Sequence, residues 1–294
     1  MLDVPVVLLS VLSILFGASF ANSFGLRTST SILLRLIIWS VCLMSAFSLY
    51  KALGEGEWLE VFTEKRWTVR MRTQYHDAFR GFVRLLSIAL LTVSAVALFQ
   101  VFRSEFWQGF PAALAAGVYL FAAMPIWMRG WGQWVAFYDI TLSLTLSFLL
   151  PSVVISLSGG AIKSSLMAIT FPMFLQLIAW NLNRGLGRNL RESTRDITSL
   201  ASAFSAADCL VIIASLLSLS TILFIGNVLP GYTFSALADK SALVVLPIMI
   251  LSGVAVFCLV KALAHRNPYW QIAHVIIHLL PFLVFGNLIL PLLY

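Results

Sequence analysis

Apolar positions in this chain do not alternate with polar ones. They come in runs of about twenty residues separated by short polar breaks. The runs fall near 3–22, 31–50, 82–102, 109–127, 133–153, 164–182, 206–226, 241–262 and 270–291, nine in all. A helix of that length crosses the roughly 30 Å of hydrocarbon in a bilayer. Backbone groups in hydrocarbon must bond within the segment, and neither run length nor periodicity suits a barrel, so the pattern predicts helices. The expected architecture is an all-α polytopic membrane protein, one transmembrane domain over residues 1–294 with about nine transmembrane helices. The first run, "MLDVPVVLLSVLSILFGASFA", lacks a basic leading region and is expected to be a retained span. Two polar breaks are long and charged, 51–81 and 183–205.

Composition strengthens this picture. Of the 294 residues 60% are hydrophobic and only 11% charged, with a mean hydropathy of +0.95. Soluble domains carry about a quarter charged residues, so this chain could not clothe a water-exposed surface. The net charge of +7 comes without a basic tail or a nucleic-acid motif, and no nucleic-acid partner is expected. Cys42, Cys209 and Cys258 lie in or beside apolar segments without CxxC spacing, and read as small buried hydrophobes.

The positions of the cations set the expected orientation. With the N-terminus cytoplasmic, fourteen Lys and Arg fall on the inner side and five (Arg27, Arg35, Arg103, Lys163 and Lys240) on the outer. That asymmetry obeys the positive-inside rule and puts both charged loops on the cytoplasmic face. Trp131, Trp134, Tyr138, Tyr269 and Trp270 then fit an aromatic belt. The two loops lie four spans apart, which hints at a duplicated four-helix unit.

The loops carry the candidate chemistry. In "WNLNRGLGRNLRESTRD", Arg184, Arg188, Arg191 and Arg195 step by four, three and four, a single stripe on a helix. Guanidinium forks in a stripe suit a phosphate or diphosphate. Glu192 and Asp196 sit four apart on the adjacent edge, a spacing at which two carboxylates can share a Mg²⁺. The competing reading is an interfacial helix whose arginines meet lipid headgroups, with Arg188 paired to Glu192. The first loop, "KALGEGEWLEVFTEKRWTVRMRTQYHDAFR", sets Glu55, Glu57, Glu60 and Glu64 ahead of Lys65, Arg66, Arg70 and Arg72. It suits metal plus phosphate, or equally a solvated amphipathic helix.

Four of the polar residues inside expected spans stand out. Asp139 is an intramembrane acid, costly enough to point to function or to a hydrogen bond with a neighbouring helix. Asn181 lies at the inner end of the sixth span. His274 and His278 share a helix face, as two ligands of one metal or haem would, although interhelical hydrogen bonding needs no further partner. "SVVISLSGGAIKSS" reads as a closely packed outer loop, and no nucleotide fingerprint, catalytic-serine motif or HExxH occurs.

Nine spans with charged cytoplasmic loops after the second and sixth resemble the UbiA superfamily of intramembrane prenyltransferases. "RGWGQWVAFYDITLSLTLSF" is similar to that family's G-x-G-E segment, and "EKRWTVRMRTQYHDAFRGF" to its K-R-P-x-x-x-G sequence. "FPMFLQLIAWNLNRGLGRNLRESTRDITSLASAFSAADC" resembles its run from span 6 through D-x-x-x-D to T-L-A-x-x-x-G. The resemblance implies a UbiA-like bundle in which Mg²⁺ on acidic motifs binds a prenyl diphosphate. The prenyl group then passes to a hydrophobic acceptor. It implies Glu55, Glu57, Glu60 and Glu192 as metal ligands, Glu192 and Asp196 as catalytic carboxylates, and Lys65, Arg66, Arg70, Arg184, Arg188, Arg191 and Arg195 as diphosphate-binding cations.

The acidic motifs themselves depart from the family. The first, N-x-x-x-D-x-x-x-D, falls on Lys51, Glu55 and Leu59 or on Ala52, Gly56 and Glu60, and the second falls on Arg188 and Glu192. Three expectations remain open. They are a divergent transferase, a non-catalytic lipid-binding or structural subunit of a membrane complex, and a transporter or pigment-binding subunit working through Asp139 or the histidines.

Overall fold

The computed structural model describes residues 3–55, 69–104, 135–160, 164–191, 200–228, 241–264 and 268–293. Every regular element among them is helical. The helices are α1 (Val4–Ser23), α2 (Thr30–Glu55), α3 (Val69–Ser104), α4 (Val135–Leu144), α5 (Leu150–Leu157), α6 (Ser164–Arg191), α7 (Ala206–Val228), α8 (Ser241–Ala264) and α9 (Pro268–Leu293). One π-helical turn, Thr145–Leu149, joins α4 to α5 as a single rod, and a 3₁₀ turn, Leu200–Ala203, precedes α7. These rods coincide with eight of the nine expected spans; the ninth, 109–127, lies outside the described residues. Seven are long and apolar enough to cross a membrane, and α2 contributes a shorter apolar stretch, Thr30–Ala46. The molecule is an all-α polytopic membrane protein.

Helix ends differ from the apolar runs. The helix α3 starts at Val69 and α6 runs on to Arg191, so parts of both expected loops are helical. Apolar runs report only the stretch that hydrocarbon must cover. Helix formers such as Leu, Arg and Gln carry the backbone beyond it. At 36 residues α3 extends about 54 Å, well beyond a bilayer core.

Two glycines close spans at one end of the bundle. Gly25 takes φ +74° after α1 and Gly159 takes φ +78° after α5. In each turn a residue in the left-handed region lets the next N–H reach back five residues, Leu26 to the Ala21 carbonyl and Gly160 to the Ile155 carbonyl. Hydroxyls of Thr28 and Ser158, 2.7 Å apart, link the two turns.

Proline breaks are satisfied from neighbouring helices. Pro172, inside α6, cannot donate to the Ala168 carbonyl. Asn227 of α7 donates to that oxygen instead, at 2.8 Å, and Ser220 donates to the Pro172 carbonyl at 2.9 Å. The π turn lies directly ahead of Pro151, where a regular turn would press the ring against a carbonyl. Within that turn the Leu146 carbonyl accepts the Ser13 hydroxyl of α1.

Packing separates a centre from a rim. Along the spans of α4–α5 and α6 67% of residues are buried, and 61% along α1, against 22% in α3 and 28% in α7. The helix α1 packs on α2, α5 and α9, while α6 packs on α4, α7 and α9. Phe82, Leu85, Ile88 and Phe99 of α3 face outward, where hydrocarbon chains would cover them. Lipid is as apolar as leucine, so burial alone does not choose neighbours in such a bundle. Close packing and polar contacts do, and many of the latter gather at the Asp3 end.

Candidate functional site

The C-terminal part of α6, "WNLNRGLG" (180–187), supplies one wall of this polar end. Helical geometry sends its side chains to three neighbours. Asn181 points at α4: its amide N–H donates to the Asp139 carbonyl at 3.2 Å and to Ser143 Oγ at 3.0 Å. Ser143 itself donates to the Asp139 carbonyl at 2.8 Å. The Asp139 carboxylate is buried, and its Oδ2 accepts the Leu200 N–H at 2.8 Å. That bond holds the 3₁₀ turn at the far side of the charged loop 183–205 against α4.

Asn183 and Gly187 face α9. Asn183 Nδ2 donates to the His274 carbonyl at 3.3 Å, which leaves Oδ1 against His274 Nδ1 at 3.1 Å. An amide oxygen only accepts, so Nδ1 carries the proton in neutral His274 and Nε2 is its acceptor. Gly187 permits this approach, because a Cβ there would lie 2.5 Å from His274 Cε1. The rings of His274 and His278 meet edge to face with centroids 4.4 Å apart. Trp270 borders His274 at 5.1 Å and Trp180 borders His278 at 6.2 Å, so the histidines belong to an aromatic column between α6 and α9.

Arg184 faces α1. Its guanidinium lies 4.6 Å from the Trp180 ring centroid, and Nη2 donates to Asp3 Oδ2. The Asp3 N–H donates to Ser48 Oγ of α2, so one residue ties α1, α2 and α6 together. A partly exposed pair of this kind contributes about 1 kcal/mol, with a similar amount from the cation–π contact. Gln176 and the Trp180 indole nitrogen, both buried on α6, find no hydrogen-bond partner among the described residues.

Of the residues singled out from sequence, the structure thus joins Asp139 to Asn181, sets His274 beside His278, and gives Arg184 a partner. Arg188 and Arg191 continue the stripe on α6, Glu55 ends α2 and Arg70 lies in the first turn of α3; the side chains of these four lie outside the described residues. Glu57, Glu60, Lys65, Arg66, Glu192, Arg195 and Asp196 lie outside them altogether. Asp3, Ser48, Ser143, Trp180 and Asn183 were not anticipated. Asp3 had a legible signal, an acid entering span 1 on the side where the cations collect.

The residues described do not by themselves make a Mg²⁺ site. No three of His, Cys, Asp and Glu are grouped as an ion requires among the described residues. Asp3 is paired to Arg184, Asp139 holds Leu200, and Asp208 bonds with Ser205 at the start of α7. Site and fold together define an intramembrane helical bundle with a buried polar end. No protein-family model matches the chain, and no curated protein matches it either.

Proposed function

We propose that this protein is a UbiA-like intramembrane protein that binds the phosphate of an isoprenoid diphosphate at its polar end. It passes the prenyl group to a hydrophobic acceptor within the membrane, and the Asp3 end faces the cytoplasm. The single observation that carries the reading is the course of α6. It runs unbroken from Ser164 to Arg191, keeping Arg184, Arg188 and Arg191 at one helical register. That register adjoins the buried polar cluster, where a phosphate would find bidentate donors at the edge of hydrocarbon. Transfer chemistry rests on stabilising the leaving diphosphate, a charge that the arginines and a metal ion would share. Any Mg²⁺ would have to be held by Glu55, Glu57, Glu60 and Glu192.

A second reading, a lipid-binding subunit without turnover, has its own support. Arg184 is already paired with an internal carboxylate, and Arg188 stands where the resembling motif carries an acid. Diphosphate release from a long-chain prenyl diphosphate separates the two. Purified protein is assayed with Mg²⁺ and with EDTA, beside Glu192→Gln. The transferase reading expects release that falls at least tenfold in the variant and in EDTA, by analogy with losses of single charge-stabilising groups. No release from folded wild-type protein would overturn it in favour of the subunit.

A further inference from the structure

Arg184 holds the chain's own carboxylate at the place where, on the reading above, a phosphate would bind. Asp3 is the residue that precedes α1, where an acid ordinarily caps its own helix. It makes no such side-chain bond; its carboxylate is given to Arg184 of α6 instead, and its N–H to Ser48 of α2. Three features make this contact exchangeable. The two side chains keep 15% and 24% of their surface exposed, so solutes reach the pair. Asp3 sits at a helix end, where fraying is inexpensive. The guanidinium is held over the Trp180 indole independently of Asp3, so its fork stays in place when the carboxylate leaves.

A phosphate presents a guanidinium fork with the same bidentate oxygens as a carboxylate and with more charge. We infer that Asp3 is an internal competitor. It occupies Arg184 when no ligand is bound, and a phosphate-bearing group, from a lipid headgroup or a free diphosphate, displaces it. This inference rests on the phosphate-binding half of the reading above, not on prenyl transfer.

The test uses the full chain in nanodiscs. One arm titrates inorganic diphosphate into phosphatidylcholine discs, and the other compares discs with increasing phosphatidic acid. Asp3→Asn, which removes the charge and keeps the shape, binds about fivefold tighter than wild type in at least one arm. The arm that responds identifies the source. Arg184→Gln and the Asp3→Asn/Arg184→Gln double variant lose the gain. Ser48→Ala, which frees the Asp3 backbone without touching charge, shifts affinity in the same direction by less. An unfolding temperature for Asp3→Asn within about 4 °C of wild type, as the loss of about 1 kcal/mol allows, confirms that the site, not the fold, has changed. Equal affinity of the two proteins, with both binding, overturns the competitor and leaves the phosphate site standing. Absence of binding by every variant in both arms overturns the two together.

Discussion

A carboxylate inside a bundle survives only with donors, and Asp139 shows what such a residue does here. It accepts the Leu200 N–H while its backbone carbonyl serves Asn181 and Ser143, so α4, α6 and the turn before α7 meet at one residue. Asp139→Ala is expected to destabilise the protein by about 1–3 kcal/mol, because a partly buried N–H loses its acceptor. Asp139→Asn keeps an oxygen in place and should cost less. Amide exchange at Leu200 measures the local effect: it quickens in Asp139→Ala, and unchanged exchange would contradict the anchoring role. At this scale the sequence was half legible. Asp139, Asn181 and His274 stand out as polar groups in apolar runs. Their partners do not, since Leu200 acts through its backbone and Asn183 looks like any polar residue at a span's end. The pairing of Asn183 with His274 joins residues 91 apart, and local pattern carries no information about that register.

Elements were legible where hydrocarbon dictates them and obscure where it does not. Apolar runs marked the spans now seen in α1 to α9, and α3 and α6 continue past their apolar spans into the charged stretches, where the runs carry no signal. The π turn at Thr145–Leu149 left no trace in the pattern beyond Pro151 just after it. Pro172 invites a sharper test. Its missing N–H frees the Ala168 carbonyl, and Asn227 supplies the donor. Asn227→Leu should cost about 1–2 kcal/mol in the native protein, as a buried carbonyl loses its hydrogen bond. In a Pro172→Ala background the helix donates to Ala168 for itself, so the same change should cost markedly less. A double-mutant cycle on unfolding free energy reads the difference. Equal costs in both backgrounds would mean that Asn227 does not stand in for the missing donor.

At the scale of the whole molecule, the contacts at the polar end fix which helix ends lie together. Asp3 joins the start of α1 to the ends of α2 and α6, through Ser48 and Arg184. Asp139 joins the start of α4 to the approach of α7, and Asn183 joins the end of α6 to the start of α9. At the opposite end, the Thr28–Ser158 bond joins the turn after α1 to the turn after α5. Arg35, in the first turns of α2, reaches the Gln100 carbonyl near the end of α3, so those two rods are antiparallel. The helices therefore share one polar end, and the question of which compartment it faces has a single answer for all of them. The distribution of positive charge supports the proposed cytoplasmic orientation and sets the prediction. Arg184, Arg188, Arg191 and Lys261 lie at the polar end, and Arg27, Arg35 and Arg103 are what the described residues place at the other. Translocating the richer end would be opposed by the membrane potential as well as by the translocation bias itself. Cysteines introduced singly at Arg27 and at Phe204, both outside the apolar centre, test this in intact cells with a membrane-impermeant thiol reagent. The native cysteines lie within apolar spans, beyond its reach. Arg27→Cys should label at once and Phe204→Cys only after permeabilisation. The reverse pattern would turn the proposed phosphate site to the outer face, away from any cytoplasmic donor. Labelling of both from outside would contradict the shared polar end itself.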